Sequence, residues 1–205
     1  MNVLVFGAGG HARVVIQILN LLGYTIAGAL EDHPGPTGKP VLNTTVVGPF
    51  AYAEGVDGAC GVLAFGNNRA RKELAERYSH IEWLTLAHPR AFVDASASIG
   101  PGSIIAAGAI VNPGATVGAH CIVNTGATVG HDVVVGDYAH VAPGANIAGW
   151  VNVGEGAWVG VGAAVRDEVS IGAWSIIGAG AAVVTDIPPN VTAYGVPAKV
   201  VKQPD

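Results

Sequence analysis

The sequence predicts two folds in series: a small α/β domain over residues 1–88 and a parallel β-solenoid over 89–205. Three observations predict this. A short apolar run, Val3-Leu4-Val5-Phe6, meets a glycine loop, Gly7-Ala8-Gly9-Gly10, and then apolar positions 14, 15, 18, 19 and 22 at helical spacing. From residue 93 to residue 183, Val or Ile returns every six residues, sixteen times without a miss. The composition suits the second pattern, with 30 glycines among 205 residues, 50% hydrophobic and only 12% charged.

The α/β part reads in order. Val3–Phe6 is continuously apolar, as a buried parallel strand must be. Gly23 stops the first helix. Thr25–Leu30 is a second strand, followed by the loop Glu31-Asp32-His33-Pro34-Gly35-Pro36. Val46-Val47 belongs to a third strand and Cys60–Phe65 forms a fourth. Arg69–Tyr78 is a charged helix, and Ile81–Leu86 is a last strand.

A six-residue unit is too short for a helix, so each unit is a short strand plus a corner. The aliphatic residue points inward. The next position is Gly in eight of the sixteen units, which permits backbone geometry that a Cβ would hinder. Four places after the aliphatic residue stands Ala in nine units, small enough to share the interior. Three units close a triangular coil of 18 residues, so residue n stacks on n−18. A little over five coils, at about 4.8 Å each, make a prism roughly 25 Å tall.

The same numbers exclude several classes. Mean hydropathy is +0.45, but a spanning helix needs about 20 nearly continuous apolar residues. The best stretch, Val14–Leu30, is broken by Gln17, Asn20, Gly23 and Thr25, so no membrane insertion is expected. A net charge of −5 without basic runs argues against nucleic acid. Cys60 and Cys121 are too few for a disulfide framework, and the N-terminal residues do not read as a signal peptide. The expected location is the cytoplasm. Little charge over much apolar surface points to burial against copies of the same chain.

Gly7-Ala8-Gly9-Gly10-His11 sits where backbone N–H groups at a helix start can receive a diphosphate. With Ala12 closing the pattern, a dinucleotide fingerprint is also open, and Glu31 or Asp32 would then hold the ribose. Against NAD, the α/β part amounts to one mononucleotide half. Asn67, Asn68 and Arg71 follow the fourth strand into the same crevice. Arg71 could meet phosphate and the Asn side chains base or ribose; either Asn could equally cap the helix.

His131 lies two residues after the inward Val129, on the outside of the prism, and histidine suits a general base near neutral pH. Asp132 can reach it only if the backbone turns, because neighbours on a flat strand point to opposite faces. His120, His131 and His140 hold the fourth, third and sixth places of their hexapeptides and do not stack. That argues against a three-histidine zinc site of the kind a carbonic anhydrase needs. Trp150, Trp158 and Trp174 stand at outward or corner positions, suited to subunit packing or to a ligand wall.

Four segments appear together in this order: Phe6-Gly7-Ala8-Gly9-Gly10-His11, Gly66-Asn67-Asn68 with Arg71, Gly130-His131-Asp132, and Tyr194-Gly195-Val196-Pro197-Ala198-Lys199. Together with the hexapeptide column they resemble the sugar acetyltransferases of the sialic-acid O-acetyltransferase type. That family includes the bacterial nucleotide-4-amino-sugar N-acetyltransferases. The resemblance implies a left-handed parallel β-helix, an exception to the right-handed crossover rule. It implies acetyl-CoA as co-substrate without a metal, a homotrimer, and a UDP- or GDP-linked 4-amino-sugar as acceptor in glycan biosynthesis. His131 would be the general base, with Asp132 orienting it. His140 would sit near the thioester, the Gly149 N–H would bind the acetyl carbonyl, and the pantetheine would pass Val161, Gly162 and Ala179. Gly7, Gly9, Gly10, His11, Asp32, Asn67, Asn68 and Arg71 would bind the nucleotide-sugar. Arg166 is a weaker candidate for the CoA phosphates. Two alternatives stay open: sugar O-acetylation with the same machinery, and a non-catalytic nucleotide-sugar-binding scaffold.

Overall fold

The computed structural model describes residues 2–32, 37–56 and 58–202. Most of the expected loop after Asp32 lies outside the described residues. The first domain is a sheet of β1 (Asn2–Phe6), β2 (Thr25–Leu30), β3 (Pro40–Val41), β4 (Thr44–Gly48), β5 (Cys60–Leu63) and β6 (Glu82–Trp83), with helices α1 (Gly10–Leu21) and α2 (Asn68–Arg77). The strand order is β3-β4-β2-β1-β5-β6, parallel except for the β3–β4 hairpin. Both faces of β1 are buried, which explains its unbroken apolar run. Val3 and Val5 pack with Ala12, Val15 and Leu19 of α1, while Leu4 and Phe6 pack with Ala75 of α2 and with Tyr78. Because β2 and β5 flank β1, the chain order reverses there, and a crevice opens at the strands' carboxyl ends.

The expected strand Ile81–Leu86 divides in two. Leu84 N–H still reaches Gly61 O at 3.0 Å, but Leu86 N–H turns to Ser103 O at 2.9 Å. Glu82–Trp83 therefore closes the first sheet, and Leu86–Ala87 opens the solenoid.

Three parallel sheets form the prism. Face 1 begins with Leu86–Ala87 and carries Ile122–Val123, His140–Val141 and Trp158–Val159. Face 2 carries Thr128–Val129 and Asn146–Ile147, and face 3 carries Val134–Val135 and Asn152–Val153. The register is 18 residues throughout these ladders, until Ile176 pairs with Thr192 across a shortened coil holding Pro188 and Pro189. Lys199–Lys202 then lies antiparallel on Thr192–Tyr194. From Ile105 to Val183 every member of the aliphatic column is buried; Val93 and Ile99, in the first coil, are partly open.

The glycines after the aliphatic column have a different reason from the one expected. None of them has positive φ. Instead the next coil lies too close: a Cβ on Gly100 would stand 2.5 Å from the Gly118 carbonyl carbon. The left-handed conformation falls two residues later, at the corners. There it is taken by Gly102, Gly108, Gly114, Gly126, Gly144, Gly156, Gly162 and Gly180, and also by His120, Asp132, Tyr138, Trp150, Glu168 and Trp174. Each bulky residue at such a corner bears a strain of about 1–2 kcal/mol that glycine would not.

Candidate active site

The corner between faces 2 and 3 resolves the difficulty with Asp132. Its φ of 55° swings the side chain back beside its neighbour, and His131 Nδ1 meets Asp132 Oδ2 at 3.0 Å. One coil above, Gly149 covers the imidazole: a Cβ there would stand 2.5 Å from both Cε1 and Nε2 of His131. Trp150 closes one side, its ring perpendicular to His131 at 4.3 Å between centroids. The Gly149 N–H makes no hydrogen bond among the described residues. The arrangement presents an outward imidazole, 48% exposed, with one nitrogen on a carboxylate and the other beside a free backbone donor.

The crevice above β1 holds the glycine loop. Gly7 has φ 121°, and a Cβ on it would come within 3.0 Å of Ala64 O. Gly9 is the N-cap of α1 and supplies no side-chain cap; open space lies in front of Gly9 and Gly10. The helix start therefore keeps its partial positive charge uncovered. A cleft of about 280 Å³ lies here, lined by Gly7, Ala8, Gly9, Glu31, Phe50 and Phe65. Of the two acidic residues after β2, Glu31 faces the loop, taking the Ala8 N–H at 3.3 Å. Asp32 turns away and accepts the Phe50 N–H at 2.7 Å.

Two expected ligand contacts, those of Arg71 and Asn68, are corrected by the packing between the two domains. Arg71 is 1% exposed. Its Nε donates to His120 O at 3.1 Å, Nη1 to Gly66 O at 3.0 Å and Nη2 to Tyr138 O at 2.6 Å. A guanidinium saturated by carbonyls has no donors left for phosphate. Burial lowers its pKa to about 10. Asn68 is also buried, and its Nδ2 donates to Gly156 O and Ala157 O, clipping α2 to the prism. Asn67 caps α2, accepting the Ala70 N–H at 3.1 Å, but stays exposed. Asn67, Asn68 and Gly66 border a second cleft of about 420 Å³, walled by Trp158 and Trp174.

His11 and His140 meet in the same seam, with 6.5 Å between ring centroids. Burial, then the Arg71 charge, lowers His11 to about 4. Burial, Arg71 and His11, in that order, lower His140 to about 3. His140 stacks on Trp158 and places Nε2 3.0 Å from Asn124 Nδ2. Asn124 Oδ1 accepts the Thr125 N–H at 2.8 Å, so its Nδ2 is the donor to His140. The neutral ring therefore carries its proton on Nδ1. Asn124 is a functional candidate that the motifs did not isolate; a side chain fixed by a main-chain N–H group leaves no spacing to read.

Within one chain, His140 and His131 are not brought together. Nine residues separate them, half a coil, so they lie on opposite sides of the prism. Val161, Gly162 and Ala179 lie on a third edge, the corner between faces 1 and 2, and all three are exposed. That edge is distinctive. Gly108, Gly126, Gly144, Gly162 and Gly180 succeed one another coil by coil, and for the last four a Cβ would meet nothing within 4 Å. Among the described residues, no group of three or more His, Cys, Asp or Glu is arranged to hold a metal.

Comparison with known proteins joins these sites to a family. The model of the PglD N-terminal domain matches residues 2–78. UDP-N-acetylbacillosamine N-acetyltransferase of Bacillus subtilis (strain 168) is 43% identical over 108 residues, 50% of this chain and 50% of that protein. The match thus spans half the length of that relative. Among solved structures, a variant of perosamine N-acetyltransferase from Caulobacter crescentus, in complex with CoA and GDP-perosamine, superposes with a TM-score of 0.91 at 38% identity, covering 98% of this chain and 97% of that one. The acetyltransferase domain of PglB from Neisseria gonorrhoeae FA1090, in complex with acetyl coenzyme A, gives 0.91 at 35% identity, covering 98% of each chain. With the domain order, the hexapeptide prism and the full-length likeness all in agreement, the chain belongs to the sialic-acid O-acetyltransferase type of sugar acetyltransferases, built on a left-handed parallel β-helix.

Proposed function

We propose that the chain transfers acetyl from acetyl-CoA to the amino group of a nucleotide-linked 4-amino-sugar. The observation that carries this reading is the corner of His131, Asp132 and Gly149. The acceptor amine attacks the thioester carbonyl carbon, forming a C–N bond. His131 Nε2 takes the proton released from nitrogen, and Asp132 stabilises the imidazolium through Nδ1. The free Gly149 N–H donates to the carbonyl oxygen as charge develops on it. The C–S bond breaks, and His131 returns the proton to the CoA sulfur.

The nucleotide belongs at the glycine loop, where Gly9 and Gly10 leave room at a helix start and Glu31 stands ready for ribose hydroxyls. The pantetheine follows the bare glycine edge past Val161, Gly162 and Ala179. No single chain offers that edge and His131 together, so in this reading the substrates meet between copies of the chain, and the homotrimer that the family resemblance implies is an assembly that would bring the two edges together. Among the described residues no helix is long and apolar enough to cross a membrane; a cytoplasmic place in glycan biosynthesis suits both substrates.

The test is CoA release measured with a panel of UDP- and GDP-linked 4-amino-sugars, alongside free and hydroxyl-only sugars. His131→Ala should lower kcat by about 10² or more. Near-full activity in that variant would remove it as base, and a preference for hydroxyl acceptors would favour O-acetylation. Calorimetric titration of UDP, GDP and NAD reads the nucleotide site: NAD binding alone would overturn the assignment.

A further inference from the structure

The geometry points to Trp150 as a positioning residue for His131, an inference that rests on the acetyl-transfer reading above. Six bulky side chains occupy left-handed corners. His120, Tyr138 and Trp174 have a structural reason to be there, because α2 docks on them. Arg71 Nε and Nη2 take the His120 and Tyr138 carbonyls, and the Arg69 guanidinium lies 4.5 Å over the Trp174 ring. Trp150 is not on that corner. It is 58% exposed, and its aromatic contact is His131. Glycine holds the same place one coil below Asp132, at Gly114, so the fold itself does not require a side chain at this edge. Among the aromatic residues at left-handed corners, His120, Tyr138 and Trp174 meet α2, whereas Trp150 meets His131.

What that contact adds lies in how loosely His131 is otherwise held. The imidazole has two nearly isosteric orientations related by a ring flip, and only one places Nδ1 on Asp132. His131 and Asp132 are about half exposed, and a solvated pair of this kind restrains a ring weakly. Gly149 covers the Cε1–Nε2 edge of the ring with backbone alone and brings no side chain to it. The indole stands perpendicular to the imidazole with 4.3 Å between centroids, an arrangement aromatic pairs favour, and a ring in that contact resists the flip that the ion pair alone leaves open. Trp150 also covers the prism one coil above Asp132, its N–H bonded to His131 O at 3.1 Å. Base and wall therefore move together.

Trp150→Ala should lower kcat about tenfold, with KM for both substrates within about twofold and an unchanged assembly by light scattering; Trp150→Phe should recover most of the rate. A second reading needs no turnover. Protonated imidazole quenches a neighbouring indole, so tryptophan emission should fall on acidification as the imidazole beside Trp150 gains a proton. That fall should be lost in Trp150→Phe and in His131→Ala. Full kcat in Trp150→Ala overturns the proposal, as does a loss that lies only in KM, or one that accompanies dissociation. An emission response untouched by either substitution also overturns it. If no sugar is acetylated by the unaltered protein, the reading of the reaction fails, while the emission experiment still decides whether Trp150 holds His131.

Discussion

Two groups of histidines share the prism and live under opposite physics. His131 stands on an open corner beside a carboxylate. His11, His120 and His140 lie in the seam between domains, around the buried Arg71 guanidinium. The seam histidines stay neutral, because burial and a neighbouring cation both oppose a proton. One residue type thus stands half exposed beside a carboxylate at one place and buried and neutral at the other. The difference teaches that the sheet lattice does not decide chemistry; the corner a residue occupies does.

The comparison can be broken by acid. The seam histidines have folded values of about 4, 4 and 3, below the ordinary 6.5. Below pH 6.5 the unfolded chain then binds more protons than the folded one, so stability is full above that pH and falls through the window down to about 3. The loss between pH 7.5 and 4.5 should be on the order of 5 kcal/mol, read from urea midpoints, and His140→Gln should flatten the slope by about one proton. Next in size, Arg71→Met should cost about 3 kcal/mol and lower Tm, since the carbonyls of Gly66, His120 and Tyr138 lose their donors. If the domains hold as firmly without it, the seam is not what joins them.

The corner is sharpened by smaller changes. Gly149→Ala would push a methyl against His131 Nε2 and should lower kcat about 10²-fold, or about 2.7 kcal/mol, at unchanged Tm. Asp132→Asn should cost about tenfold in kcat with KM preserved, because an exposed partner contributes modestly. A larger loss for Asp132→Asn than for Gly149→Ala would reverse the ranking of orientation and oxyanion binding at this corner.

The prism was legible because each coil repeats the same demand: Val129 and Val135 must be apolar wherever they stand, and the period follows. The pairing of His131 with Asp132 was legible because so few ionisable residues interrupt that lattice, and the two matched a family motif. Arg71 and Asn68 were misread for a physical reason. Their partners are carbonyls of His120, Tyr138, Gly156 and Ala157, and a main-chain oxygen leaves no trace in residue identity. Asp32 was preferred to Glu31 although neighbours differ only in which way the loop turns them. The left-handed corners were invisible as well, since glycine and tryptophan share them.

The shortened coil at Pro188-Pro189 and the strand after it bear on something outside the reaction. A parallel solenoid is an open-ended polymer: its last coil exposes a row of backbone donors and acceptors on which another chain could grow. Here Lys199–Lys202 runs backward across Thr192–Tyr194 and occupies the outer edge of face 1. That strand begins at the exposed Lys199. A strand that crosses backward and opens on a charge makes stacking of a second prism at this end unfavourable, so the lattice that gives the molecule its rigidity stops short of becoming a fibre.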